Sequence, residues 1–356
     1  MENKGLPTLN DVASSAGVSI STVSRYLNGI KIRNDLAQKV EVAVAHLDYK
    51  PNYAARAIRG SKSRAIGMIL PKIEHPYFSA VLEGATEEAR RHDQTILVSS
   101  SQGKRAIEND IIHQFSRSII DGLIYTPVAT DDDFIETESF RNLPVIIAAR
   151  GPKVYPEFIH VFQNTRSGGY LSTSYLLSLG HRRIAFFASF WEPFCNSTTI
   201  KSSLDLPGAE VYSSLDRFRG YLDALEGAEI EYDPNLVVIC GYGFDSGNDA
   251  VKELLSRCVR FDAIVTASDA VAGGAMHTLD LQGIEIPSDI SVVGYGDLEI
   301  GTIMKPSLTT IQQDMFFLGE ESVRALNKLI EEKPVANKML DVKLIVRNST
   351  KKKQIK

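Results

Sequence analysis

The sequence predicts an α/β protein: an N-terminal three-helix head with a helix-turn-helix pattern, followed by two doubly wound parallel-sheet lobes. Three observations carry that expectation. Residues 8–29 pattern as two short helices joined by a tight turn. The charge of the 356-residue chain, −5 in total, divides into +5 over residues 1–64 and −10 over the remainder. From Arg64 onward, short apolar strands alternate with amphipathic helices, as parallel sheets covered on both faces require.

In the head, Leu9, Val12, Ala13 and Ala16 recur at helical spacing and give a first helix one buried face. Thr8 caps it, and Asp11 completes a capping box while favouring the positive helix start. Gly17 ends it, because the sharp turn that follows needs unusual backbone angles, and Val18 fills the corner. Ser19 caps the second helix, whose Val23 and Leu27 pack back on the first. Ile20, Ser21, Ser24 and Arg25 are left facing outward, sized for base edges and phosphates, with Arg25 the natural bidentate partner of guanine. Asn28-Gly29 stops this helix. A third helix is expected from Asp35 to Asp48, burying Leu36, Val40, Val44 and Leu47, and Tyr49-Lys-Pro-Asn52 breaks it. Residues 52–60 have high helix propensity but are too few for a stable isolated helix, so they fold against a partner or DNA, or else form a simple tether.

In the body, strands are expected at 65–70, 95–99, 122–125 and 145–149, with helices near 77–92, 104–118 and 131–141. A second series places strands at 184–188, 237–239, 263–266 and 291–293, with helices near 165–179, 215–227, 246–257 and 270–282. Ligands in such folds sit at the carboxyl ends of the strands, so a small-molecule site is expected in the cleft between the lobes.

Composition narrows the function classes. At 44% hydrophobic and 23% charged residues the chain reads as an ordinary globular protein. The start lacks an apolar signal region and no run of eighteen apolar residues occurs, so a cytoplasmic protein with no membrane partner is expected. Cys195, Cys240 and Cys258 are odd in number and lack metal-ligand spacing, which points to reduced thiols and no metal site. The seven histidines are scattered, Gly241-Tyr-Gly-Phe-Asp-Ser-Gly247 lacks the spacing of a dinucleotide loop, and no Walker pattern is present. Neither an enzyme nor a cofactor is therefore expected.

Several dispersed motifs occur in a meaningful order: Val18-Ser-Ile-Ser-Thr-Val-Ser-Arg25, Tyr49-Lys-Pro-Asn52, Ser178-Leu-Gly-His-Arg-Arg-Ile184, Ile290-Ser-Val-Val-Gly-Tyr295 and Pro306-Ser-Leu-Thr-Thr-Ile311. With them the chain resembles, from Thr8 to about Ser349, the lac repressor / gal repressor family of bacterial transcription regulators. The resemblance implies periplasmic-binding-protein-like lobes and a homodimer on a pseudo-palindromic double-stranded operator, one recognition helix per major groove. It implies a DNA-binding domain at 1–51, a hinge helix at 52–61, a first lobe at 62–162 and 313–341, a second at 163–312 and 342–349, and a basic tail at 350–356. It also implies a dimer face on the helices near 77–92 and 104–118, where Ile111 and Phe115 serve either the interface or the core.

By the same resemblance Ile20 and Ser21 choose the operator and Arg25 contacts a base. Thr8, Ser19, Thr22, Ser24 and Asn28 act as caps, packing or phosphate contacts, with Tyr49, Asn52 and Ala55 also at the DNA-binding surface. Ile58 takes the lever position, usually leucine, that wedges between central base pairs. Ala54, Ala55 and Ala57 are small enough for two hinge helices to approach closely. The implied effector positions are Ile73, Tyr77, Phe78, Ala149, Phe162, Trp191, Arg217, Ser268 and Gly296. Arg217, in Arg217-Phe-Arg-Gly220, forks hydroxyls or a carboxylate, or else is an exposed helix arginine. Ala149, Ser268 and Gly296 stand where the family commonly carries polar or acidic residues, which puts a standard monosaccharide in doubt and leaves a sugar derivative in view. Between Ile184 and Arg217 the chain is longer than the family norm, and Phe190, Trp191 or Phe194 is expected to stack on the ligand, unless the loop is disordered. Two other readings stand beside a carbohydrate-gene repressor: a regulator controlled mainly by a protein co-regulator, and a solute-binding protein.

Overall fold

A computed structural model describes residues 7–27, 30–49, 62–128, 143–191 and 195–353. The chain divides into two units, residues 1–63 and 64–356.

The first unit holds helices α1 (Leu9–Ala16), α2 (Ile20–Leu27) and α3 (Asn34–His46). Both halves of the capping box are present: the Asp11 amide donates to Thr8 Oγ1 at 3.3 Å, and the Thr8 amide donates to Asp11 Oδ2 at 2.7 Å. Gly17 takes the left-handed conformation, φ 63°, and turns the chain. Ser19 Oγ accepts from the Thr22 amide at 3.2 Å and opens α2. Val12, Ala13, Ala16, Val23, Val40 and Ala43 form the core, flanked by half-buried Leu27, Val44 and Leu47. The third helix ends at His46, two residues before its expected end, because Leu47 leaves helical geometry at φ −91°, ψ 0°.

The second unit holds two six-stranded sheets. In chain order its elements are β1 (Ala65–Leu70), α4 (Pro76–Arg91), β2 (Thr95–Ser100), α5 (Arg105–Ser116), β3 (Gly122–Tyr125), β4 (Val145–Ala148), β5 (Ile159–Gln163), α6 (Thr165–Ser178), β6 (Ile184–Ser189), α7 (Ser213–Gly227), β7 (Val237–Cys240) and α8 (Phe244–Ser256). There follow β8 (Ala263–Thr266), α9 (Asp269–Leu281), β9 (Ser291–Gly296), α10 (Glu299–Ile303), β10 (Thr309–Gln312), α11 (Met315–Ile330), β11 (Lys338–Leu340) and β12 (Lys343–Ile345). One sheet runs β11-β5-β4-β3-β1-β2, the other β12-β10-β9-β8-β6-β7, and every pairing is parallel except β10 with β12. In both sheets the order reverses beside the first strand, the switch point where doubly wound sheets open a ligand crevice.

Each sheet buries both faces. In the first lobe α4 and α11 cover a core containing Ile66, Met68, Ile124 and Leu326, while α5 covers Ile69, Leu123, Tyr125 and Ile147. Ile111 and Phe115, 5% and 8% exposed, belong to that second core. Edge strand β2 is different: its Leu97 and Val98 are 43% and 38% exposed. The expected helix at 131–141, the hinge segment 52–61 and Phe194 lie outside the described residues.

Between β6 and α7 the chain forms short 3-10 turns at Ser202–Asp205 and Ala209–Val211. Ile200 and Ala209 are buried in the second lobe, while Val211 packs with Ile69, Tyr125 and Tyr155 of the first. Residues 350–353 are also held, since Lys353 Nζ reaches Asp262 at 2.6 Å and the Lys353 amide donates to the Leu179 carbonyl at 2.8 Å. Among the described residues no helix is long and apolar enough to cross a membrane.

Helices α6 and α7 touch backbone to backbone: a Cβ on Gly169 would collide with the Arg217 carbonyl oxygen, and one on Gly220 with that of Arg166. Substituting Gly220 by Val should therefore destabilise the chain by about 1–3 kcal/mol. Urea denaturation checks this, and an unchanged midpoint contradicts the close approach.

Candidate functional site

Two surfaces stand out. On the head, Ile20, Ser21 and Arg25 are exposed along α2, with Ile20 46% exposed, while Thr22 and Ser24 are half-buried. Thr8 and Ser19 are exposed but engaged as caps. Tyr49 is 8% exposed and packs in the head core, so its ring braces the fold. Asn28, Asn52, Ala55 and Ile58 lie outside the described residues.

The second surface is a cavity between the two sheets of the body, with about 590 Å³ of space between atoms once its open mouth is included. The carboxyl ends of strands and the helix starts that follow them supply its walls. The first lobe contributes His75, Tyr77 and Phe78 at the start of α4, and Ala149 and Arg150 after β4. The second contributes Trp191 after β6, Arg217 on α7, Tyr242 after β7, Ser268 after β8, and Tyr295 and Gly296 at the end of β9. Thr165, Gln313 and Met315, where the chain passes from one lobe to the other, also line it.

Seven of the nine expected positions thus converge: Tyr77, Phe78, Ala149, Trp191, Arg217, Ser268 and Gly296. Phe162 instead lines an adjoining recess with Lys153, Arg166, Asp216 and Arg219, and Ile73 lies in the turn before α4, away from the lining. Of the loop aromatics, Phe190 is 4% exposed and packs edge-on against Tyr212 at 5.4 Å in the second-lobe core, whereas Trp191 faces the cavity. Sequence reasoning missed His75, Arg150, Tyr242, Tyr295 and Gln313.

An aromatic wall forms one side. The Trp191 and Tyr242 rings lie 4.4 Å apart at 33°, and His75 meets them edge-on at 5.3 and 5.8 Å. Trp191 also reaches across to the first lobe, where a Cβ on Gly103 would press on it at 3.0 Å. Burial, helped by the Arg217 charge, pushes the His75 pKa down to about 4, while its Nδ1 accepts from the Tyr77 amide at 3.3 Å and caps α4. The neutral ring therefore carries its proton on Nε2. Tyr77 donates to Gln163 Oε1, and burial holds its phenol well above the usual range.

Arg217 is 7% exposed, which settles it as an interior residue. Its Nη1 donates to the Ala267 carbonyl at 2.7 Å and its Nη2 to Ser213 Oγ at 3.3 Å, and the guanidinium lies 4.2 Å from the Tyr295 ring centroid. Its Nε is buried without a partner. Arg150, 8% exposed, donates to the Pro127 and Ala149 carbonyls at 3.1 and 2.9 Å, and burial lowers its pKa. Asp297, next to Gly296, turns away to Arg347 and Gln312. Asp269 is fully buried behind the lining, where it accepts from Thr310 and the Leu298 amide, and burial pushes its pKa up to about 6. Among the described residues no group of three or more His, Cys, Asp or Glu side chains gathers to hold a metal.

Residues 8–52 match the family described as bacterial regulatory proteins, lacI family, and residues 63–347 match periplasmic binding proteins and sugar binding domain of LacI family. The HTH-type transcriptional regulator RegA of Clostridium saccharobutylicum is 31% identical over 348 residues, 96% of this chain and 99% of its own. The ribose operon repressor of Halalkalibacterium halodurans is 28% identical, covering 97% of this chain and 98% of its own. Among solved structures, the lac repressor dimer bound to operator and the anti-inducer ONPF superposes with a TM-score of 0.83 at 28% identity, over 98% of this chain and all of that one. The transcriptional regulator CelR–cellobiose complex gives 0.70 at 26% identity, covering 96% and 99%.

The cavity makes a prediction about pH. His75 takes up a proton near pH 4 in the folded chain and near 6.5 when unfolded. Between those values the unfolded state binds more protons, so the stability that neutral His75 contributes at pH 7 is lost as pH falls through that window. His75→Phe should flatten this stretch of the stability profile by up to about 3 kcal/mol. A variant profile parallel to the wild type in urea denaturation contradicts the assignment.

Proposed function

The chain belongs to the lacI family of bacterial regulatory proteins, and we propose that it is a cytoplasmic repressor of carbohydrate-related genes that binds a pseudo-palindromic operator as a homodimer. The observation that carries this is the head: a capped helix pair with Ile20, Ser21 and Arg25 exposed along the second helix, on a chain matched over nearly its full length by transcriptional regulators. In this reading residues 1–51 are the DNA-binding domain and 52–61 the hinge helix. The first lobe comprises 62–162 and 313–341, the second 163–312 and 342–349. Arg25 reads a guanine edge in the major groove, Ile20 and Ser21 adjust the choice of operator, and Ile58 levers the minor groove. The exposed Leu97 and Val98 on edge strand β2 support assembly through the first lobe.

The cavity between the lobes is the effector site. Its ligand touches both lobes and the chain crossings at once, so it favours one lobe arrangement, and that arrangement sets the distance between two hinges in a dimer. Such coupling is reciprocal: the ligand binds the two DNA-competence states unequally.

Selection of bound sequences from random DNA tests the reading. A palindromic consensus is expected, and its absence overturns the proposal. Arg25→Ala should weaken operator binding by about 1–3 kcal/mol and relax preference at one position per half-site. Trp191→Ala should lose the effect of ligand on operator affinity, and an unchanged response removes Trp191 from the site.

A further inference from the structure

The cavity is built around positive charge that the protein itself does not neutralise. Arg150 and Arg217 are each more than nine-tenths buried, and neither forms an ion pair among the described residues. Their hydrogen bonds go to carbonyl and hydroxyl oxygens, which carry only partial charge, and Arg217 Nε has no partner at all. The Arg217 charge is close enough to depress the pKa of Arg150 and of His75. No described lining residue is acidic. The nearby acids are engaged elsewhere: Glu108, whose charge Arg150 feels, accepts from the Val128 amide, Asp269 holds Thr310 and Leu298, and Asp297 holds Arg347. In the adjoining recess Asp216 pairs with Arg219, leaving Lys153 as an exposed cation beside the entrance.

The backbone sharpens the point. Ala149 sits at φ 60°, a conformation in which Asp and Asn are enriched several-fold among non-glycine residues. A carboxylate at this position would suit the backbone better than the methyl group and would face the same cavity as both guanidiniums. A buried charge is tolerated only when paired, and the partner here has to enter with the ligand.

We infer that the effector is an anion, a phosphate ester or a free carboxylate, that Arg150 and Arg217 hold jointly while its apolar face lies on the Trp191–Tyr242 wall. This rests on the reading of the cavity as the effector site. Arginine forks suit both anions, and an aromatic wall suits a body with an apolar face.

Thermal unfolding of the full chain tests it, with inorganic phosphate, acetate, glucose and ribose as probes and ionic strength held constant with sodium chloride. A saturable upward shift of a few degrees is expected with phosphate or acetate, whichever matches the ligand's own group, and none with the two sugars. Arg217→Gln should abolish the shift. Ala149→Asp should abolish it too, with a probe-free melting temperature no lower than the wild type's, because the new carboxylate takes the ligand's place. A response to sugars alone, no saturable response to either anion, or a full anion response in Ala149→Asp overturns the inference. DNA selection on the same preparation separates the two readings: a palindrome recovered without anion binding overturns the anion alone, and anion binding without a palindrome overturns the operator-binding repressor alone.

Discussion

The body of this protein is governed by three passages of the chain between its two sheets. It leaves the first sheet after Gln163, returns after Gln312, and passes over again between Leu340 and Lys343. Gln313 donates to Gln163 Oε1 at 3.2 Å, so two of the passages are tied to each other, and Gln163 also accepts from the Tyr77 hydroxyl at the cavity. Thr165, Gln313 and Met315 line that cavity. Any rotation of one lobe on the other must turn about segments that line the cavity, so a molecule seated there would bias the arrangement of large bodies.

Away from the passages, apolar contacts also span the lobes. Trp191 leaves the second sheet and packs against the first-lobe core, and the segment between β6 and α7 places Val211 among Ile69, Tyr125 and Tyr155. That segment is anchored at Ile200 and Ala209 in the second-lobe core before it crosses. The lobes are thus held both by covalent passages and by apolar contacts, and opening the cleft would expose the buried apolar area around Val211 to water.

Much of this was legible in the sequence because it is local. The cap at Thr8, the turn at Gly17 and the cap at Ser19 each follow from residues within four positions, and the continuous apolar runs of β1, β3 and β4 declare strands buried on both faces. The strands β5, β10, β11 and β12 were not legible: β5 contains His160 and Gln163, and β11 and β12 are three residues long and gain their strand geometry from neighbours far away in the chain. Helix α11, despite an apolar face, was missed because its partner Gly84 lies more than two hundred residues earlier. In the cavity, the positions found came through family resemblance, and Arg150 and His75, beside recognised positions in the chain, were overlooked. Phe190 and Trp191 show the limit of composition: of two adjacent aromatics just past β6, one enters the second-lobe core and the other lines the cavity.

The edge of the first sheet has a consequence for the life of the single subunit. Strand β2 ends the sheet with Leu97 and Val98 open to solvent, and such an edge is a template for any other strand it meets. A second copy covering it would make folding depend on mass action, so the apparent stability of the native state would fall on dilution. Newly made chains at low abundance would then be the most exposed to proteolysis and aggregation, and cellular concentration itself would become a determinant of how much functional protein persists.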